Sequence, residues 1–198
     1  MERGRVERVC VFCGSRPGDD PLYTATANAL GGMLASRDIG VVYGGAGIGV
    51  MGALADGALS QGGEVIGVIP QSLLEREVGH TGLSELRVVG TMHERKATMA
   101  ELADAFVVLP GGIGTLEELF EIWTWAHLRI HNKPIGVLNV RGFFDPLHEF
   151  VRSLVGAGFL APESSSLLLE EHDPSELLAR IVAAAASAPP APASSIEP

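Results

Sequence analysis

Two stretches of the chain carry residues that could do chemistry. The first is "GTMHERKATMAEL", Gly90 to Leu102, where His93, Arg95 and Lys96 form the most obvious basic cluster. The second is "LPGGIGTLEELFEIWTW", Leu109 to Trp125, where a glycine loop runs into two adjacent acids, Glu117 and Glu118. Thr91 and Glu94 have capping-box spacing, so a helix should start at Thr91 and place Arg95 and Lys96 near its top. Cations there oppose the helix dipole at ~0.3–1 kcal/mol each when exposed, and a bound anion reverses that sign. The competing reading is a solvated face with partners such as Glu101. In the second stretch Gly111, Gly112 and Gly114 free backbone amides to donate to an anion. Thr115 and Glu118 have the spacing of a second capping box, in which Glu118 would only satisfy a backbone amide. Glu117 and Glu118 point about 100° apart on a helix, so they cannot form the facing carboxylate pair of an ordinary glycosidase. One acid working with the basic cluster is more economical. Glu117, Glu121 and Thr124 follow one helix face, and Leu116, Leu119, Phe120 and Trp123 are expected in the core.

Three other patterns have chemical spacing. "CGSRPGDD" places Ser15 and the amides near Gly14 after a strand, where they face an anion or merely turn the chain. "YGGAGIGVMG" contains Gly47-x-Gly49-x-x-Gly52 between a strand and a helix. The dinucleotide version also needs an acid at the end of the next strand, and "GVIPQS" has none, so NAD and FAD are disfavoured. Gly45 and Gly47 are then read as phosphate-approach or close-packing positions. Cys10 and Cys13 form a CxxC inside a strand, where positions i and i+3 face opposite ways, so both are read as core thiols. His127 and His131 lie one helical turn apart, but Leu128 stands where zinc proteases carry Glu, and no metal site is expected.

These residues need a frame. "RVCVFCGS", "GVVYGG", "EVIGVIP", "LRVVG", "AFVVLP" and "PIGVLNV" read as six strands. Between them lie helical patterns, the first with Asp20 as N-cap, Pro21 at its first position and an apolar stripe of Leu22, Ala29, Leu30 and Met33. Short apolar strands alternating with helices predict an α/β fold, a Rossmann-like doubly wound parallel sheet with helices on both faces. Ligands in such folds sit beyond the carboxyl ends of the strands. One domain is expected over residues 1–186, followed by a disordered Pro/Ala/Ser-rich tail, 187–198. Net charge is 14 − 24 = −10, which disfavours nucleic acid and anionic membrane surfaces. No secretory signal and no long apolar run is read, so the expected location is the cytoplasm.

Taken together, "GGAGIGVMGALADGAL", "MHERK" and "PGGIGTLEE" resemble the LOG (LONELY GUY) family, cytokinin riboside 5′-monophosphate phosphoribohydrolases long labelled lysine decarboxylases. The similarity covers about Val9 to Phe159. It implies a homodimeric Rossmann-like hydrolase that cleaves the N-glycosidic bond of a nucleoside 5′-monophosphate such as AMP, releasing free base and ribose 5-phosphate. No cofactor, metal or pyridoxal phosphate chemistry is implied. Arg95 and Glu118 match the family's catalytic pair. Glu77, Lys96, Thr124 and the loop Gly112, Ile113, Gly114, Thr115, Leu116, Glu117 match substrate-contacting positions, with Gly111 beside them. Thr91 and Ile113 depart from the Asp and Tyr frequent elsewhere, which bears on base preference. The alternative is a non-catalytic carrier of a nucleotide or phosphorylated cofactor on the same fold.

Overall fold

A computed structural model describes residues 5–74 and 79–188. The chain runs β1 (Arg8–Phe12), α1 (Pro21–Ala35), β2 (Gly40–Tyr43), α2 (Gly49–Ser60), β3 (Val65–Pro70), α3 (Gln71–Leu74), β4 (Glu85–Val89) and α4 (Met92–Leu102). It continues through β5 (Ala105–Val108), α5 (Ile113–His127), β6 (Ile135–Leu138), α6 (Asp145–Gly156), α7 (Pro162–Ser165), β7 (Leu168–Glu171) and α8 (Pro174–Ser187). Seven parallel strands form one sheet in the order β4-β3-β2-β1-β5-β6-β7.

Both faces of this sheet are covered, as the continuous apolar strands require. Along β1, Val9, Val11 and then Cys13 enter the core beneath α1, α2 and α8. Cys10 and Phe12 enter the core beneath α4, α5 and α6. The two cysteines therefore point to opposite faces, and both are buried free thiols. Burial, with Glu118 adding to it, pushes both thiol pKa values up, so they stay protonated.

The strand order reverses at β1. The chain winds from β1 out to β4, then returns to place β5 on the other side of β1. A crevice opens between the carboxyl ends of two such strands, because their following loops diverge. Here those loops are Cys13–Asp20 and Leu109–Gly112. They touch: the Gly14 amide donates to the Pro110 carbonyl at 3.1 Å.

Several expectations change. The sheet gains a seventh, edge strand in β7; "LLEE" gives neither alternation nor a long apolar run. The buried residues of α1 are Ala27, Leu30, Gly31, Leu34 and Ala35, while Leu22 is 42% exposed and Ala29 is also exposed. Phe120 is exposed rather than buried. Helix α8 runs through Ser187, and the expected tail from residue 189 lies outside the described residues. No helix among the described residues is long and apolar enough to cross a membrane.

Candidate active site

At the reversal point lies a cleft of about 560 Å³, within the usual range for small-molecule sites. Its walls come from the β1–α1 loop, the start of α2, the first turn of α4, and the β5–α5 loop with the first turns of α5. Arg95 and Glu118, on different helices, both line it. Both also act on the Cys13 thiol, with opposite signs, Glu118 raising its pKa and Arg95 lowering it.

Helix α4 is closed at its N-terminus by its own side chains. The Thr91 hydroxyl accepts from the Glu94 amide at 3.1 Å, and the Glu94 carboxylate accepts from the Thr91 amide at 3.2 Å. This is the predicted capping box. Arg95 follows on the first turn and is only 4% exposed. Its guanidinium turns away from the helix end toward the sheet. Nε donates to the Val68 carbonyl at 3.0 Å and Nη2 to the Gly44 carbonyl at 3.1 Å. Carbonyls orient a cation without supplying an opposite charge. A side chain at Gly44 would collide with Nη2, which explains the small residue there.

Helix α5 begins earlier than expected. Its N-cap is Gly112, with no side-chain capping bond, and Ile113 is the first helical residue. The proposed Thr115–Glu118 capping box does not form, because the glycines continue the helix three residues upstream. Thr115 instead buries its hydroxyl against Gly111. Glu118 is thereby released from capping and falls on the buried face with Leu119 and Ile122, itself 5% exposed. Burying a charged group costs several kcal/mol, roughly, unless something compensates it. The second uncapped N-terminus at the cleft is that of α2, whose N-cap Ile48 offers no side-chain bond.

The remaining predicted residues divide clearly. Ser15, Gly111, Gly112, Ile113, Gly114, Thr115 and Glu117 line the cleft. Lys96 does not. It is buried between helices, donating to Glu117 at 2.6 Å and Glu121 at 2.8 Å. Burial alone lowers the Lys96 pKa, but the two carboxylates outweigh it and hold the ammonium above its usual range. The expected basic cluster is thus split: Arg95 faces the cleft, Lys96 ties α4 to α5, and His93 is exposed. Leu116 packs against the core, and the Thr124 hydroxyl donates to the Phe120 carbonyl at 2.6 Å. Gly45 and Gly47 lie off the cleft lining, and the Gly47 carbonyl packs tightly against Gly52. Gly49 has a positive φ of 64° and leaves no room for a Cβ beside the Ser15 carbonyl. The GxGxxG spacing therefore serves close packing of α2 against the β1–α1 loop. Glu77 lies outside the described residues.

The two histidines spaced as one helical turn are not on one helix, since α5 ends at His127, and both have other partners. His131 Nδ1 accepts from the Lys133 amide at 3.1 Å, so Nε2 donates to the Ile122 carbonyl at 2.9 Å. Neither ring nitrogen is left for a metal. His127 meets the Ser164 hydroxyl at 2.8 Å. Among the described residues no group of three or more His, Cys, Asp or Glu is arranged to hold a metal ion. The sequence reading missed Arg16, Tyr23, Met92 and Phe143 as cleft residues. Their common signal was position just beyond a strand's carboxyl end or on the helix that follows it.

Comparison with known proteins adds independent information. The family described as "Possible lysine decarboxylase" matches residues 51–181. The cytokinin riboside 5′-monophosphate phosphoribohydrolase LOG of Oryza sativa subsp. japonica is 48% identical, across 90% of this chain and 74% of that protein. The phosphoribohydrolase LOG3 of Arabidopsis thaliana is 44% identical, across 91% of this chain and 84% of that protein. Among solved structures, the molybdenum cofactor carrier protein of Chlamydomonas reinhardtii superimposes with a TM-score of 0.71 at 21% identity, covering 92% of this chain and all of that one. That likeness concerns the fold alone. By sequence similarity along nearly its whole length, this chain belongs to the LOG family of cytokinin riboside 5′-monophosphate phosphoribohydrolases.

Proposed function

We propose that the protein hydrolyses the N-glycosidic bond of N6-substituted adenosine 5′-monophosphates, such as cytokinin riboside 5′-monophosphates. The products are the free base and ribose 5-phosphate. The observation that carries this reading is the meeting of Arg95 and Glu118 in one cleft, beside an uncapped glycine-rich helix start.

The opposed features of the second stretch then acquire separate tasks. The uncapped amides at Gly112 to Thr115, with the Gly14–Ser15 turn, take the phosphate. Glu118 stands at the sugar, where positive charge develops at C1′ as the base departs. A buried carboxylate stabilises that oxocarbenium-like state more strongly than one in water. Water adds to C1′, the bond to the base nitrogen breaks, and the base leaves carrying a proton. Arg95 holds the nucleotide from the β2–β3 side of the cleft. Lys96 acts at one remove, through α5.

The same reading takes residues 1–186 as one domain working in the cytoplasm as a homodimer. Exposed apolar side chains at the cleft mouth and on the neighbouring edge strand support the dimer: Met92, Ile113, Leu86 and Val88. Sedimentation of the purified protein checks it. A carrier function on this fold would need no buried acid beside the sugar. The deciding experiment incubates the protein with AMP and N6-isopentenyl-AMP and measures free base by chromatography. Time-dependent, stoichiometric release of base and ribose 5-phosphate is expected. Tight binding without release would favour a carrier.

A further inference from the structure

The cleft extends past the residues used so far, and contacts order its walls from end to end. At one end, Arg95 lies against Gly44, and the Met51 methyl lies against the same glycine. The Met51 amide donates to the Gly14 carbonyl at 3.1 Å, and Gly14 abuts Gly111. Next, the backbone of Ser15 and Arg16 packs on Gly49. Gly18, with a positive φ of 76°, is covered by the Tyr23 ring. Tyr23 then meets Phe143 edge-on at 5.8 Å, and Phe143 is braced the same way by buried Phe144 at 4.9 Å. This succession of wall contacts runs from Arg95 through Gly14, which Gly111 joins to the α5 N-terminus, to the Tyr23–Phe143 pair.

With phosphate at that middle point and sugar at the Arg95 end, the far end lies beyond the phosphate. Arg16 lines the cleft in the loop between Gly14 and Gly18, on the Tyr23 side of that middle point, and is exposed. Among the described residues no hydrogen bond or ion pair engages its guanidinium. We infer that Arg16, backed by the Tyr23–Phe143 edge, is a specificity-determining residue that grips the 5′-phosphate from the side away from the sugar and selects a terminal monophosphate. This rests on the proposed reaction at the same site.

The chemistry favours this assignment. A guanidinium fork matches two oxygens of a phosphate dianion, and the helix amides face the others. A diphosphate would drive its outer phosphoryl group onto two aromatic rings that offer it no matching set of donors, an uncompensated burial. Asp19, exposed on the same loop and also lining this end, would repel it further. A nucleoside without phosphate forfeits Arg16 altogether.

The test compares wild type with Arg16→Ala, Arg16→Lys and Phe143→Ala, each checked for native melting. Base release is measured from AMP, ADP and adenosine, and binding of AMP and ribose 5-phosphate by calorimetry. Arg16→Ala is expected to raise the AMP KM about 10-fold with kcat within about threefold, and to shrink the AMP-over-adenosine preference by the same factor. Arg16→Lys should recover part of the loss, since a point charge lacks the fork. Phe143→Ala should raise the ADP-to-AMP ratio several-fold. Equal weakening of AMP and adenosine in Arg16→Ala, or an unchanged ADP ratio in Phe143→Ala, overturns the assignment. If wild type releases no base from any substrate, the proposed reaction fails. Ribose 5-phosphate binding then judges Arg16 separately: unchanged affinity in Arg16→Ala refutes the grip, and loss upholds it.

Discussion

Helices α4 and α5 both present their N-termini to the same cleft, and they treat it in opposite ways. At α4, Thr91 and Glu94 each accept from the other's amide, and a cation follows on the first turn. At α5, Gly112 offers no side chain, and the first turn is Ile113, Gly114 and Thr115. A capped helix end has fewer amides to give a ligand, and α4 lines the cleft with the side chain of Arg95. An open end keeps amides and dipole for an anion, so α5 contributes backbone there and a carboxylate one turn later. The difference shows how one cleft can hold a phosphate and an acid without direct conflict: they sit on successive turns.

The comparison breaks most sharply if α5 is made to resemble α4. A Cβ at Gly112 meets no atom within 4 Å, and its φ of −90° suits any residue. Gly112→Asp should therefore fold and cap α5 from within. Its carboxylate would occupy the amides and repel phosphate, raising the AMP KM 10-fold or more, on the order of a lost charge-assisted contact. Steady-state kinetics on AMP check this. An unchanged KM would mean the open end is not the phosphate site.

The tie between the helices comes next. Lys96→Met removes both ion pairs to α5 and should cost about 1–2 kcal/mol, lowering the melting temperature by roughly 2–8 °C. A small shift of Glu118 against Arg95 should reduce kcat on the order of 10-fold, leaving the AMP KM within about threefold. If KM rises instead with kcat held, Lys96 contacts substrate, as the family resemblance implies. Opening α4 should matter less. Thr91→Ala removes one cap at about 1 kcal/mol, or roughly 2–4 °C by calorimetry, with little change in KM.

The smallest effect concerns the far end of α5, held by His131 on the Ile122 carbonyl. Burial depresses the His131 pKa; the Ile122 bond opposes this and Lys133 adds to it. As pH falls below the unfolded value of about 6.5, the unfolded chain gains this proton first. The stabilisation is thus complete above that pH and lost as pH drops through the folded value. Melting temperatures from pH 7.5 to 5 should fall less steeply in His131→Gln than in wild type. Parallel curves would remove His131 from the acid response.

The uneven legibility of this molecule has the same physical source. The capping box of α4 was readable because all its partners lie within four residues. So were six of the seven strands, whose apolar runs are local, and the opposed cysteines, which follow from strand periodicity alone. The start of α5 was misread because Thr115 and Glu118 have the right spacing for a cap. Only the tertiary seat of Thr115 on Gly111 shows that the helix has already begun. Lys96 looked like one of three members of an anion-binding basic cluster, because its partners Glu117 and Glu121 are distant in sequence. Arg16 and Tyr23 flank the start of α1, but Phe143 lies far along the chain beyond β6, and only the sheet order brings it beside them.

The measurement that bears most directly on the whole account is single-turnover release of base from AMP by Glu118→Gln, with AMP affinity determined in parallel. The substitution keeps the shape of the buried side chain and removes its charge. The expected result is a rate lower by on the order of 10²-fold or more, with native melting and affinity within about threefold of wild type. Base release at the wild-type rate would contradict the assignment of Glu118 to the sugar.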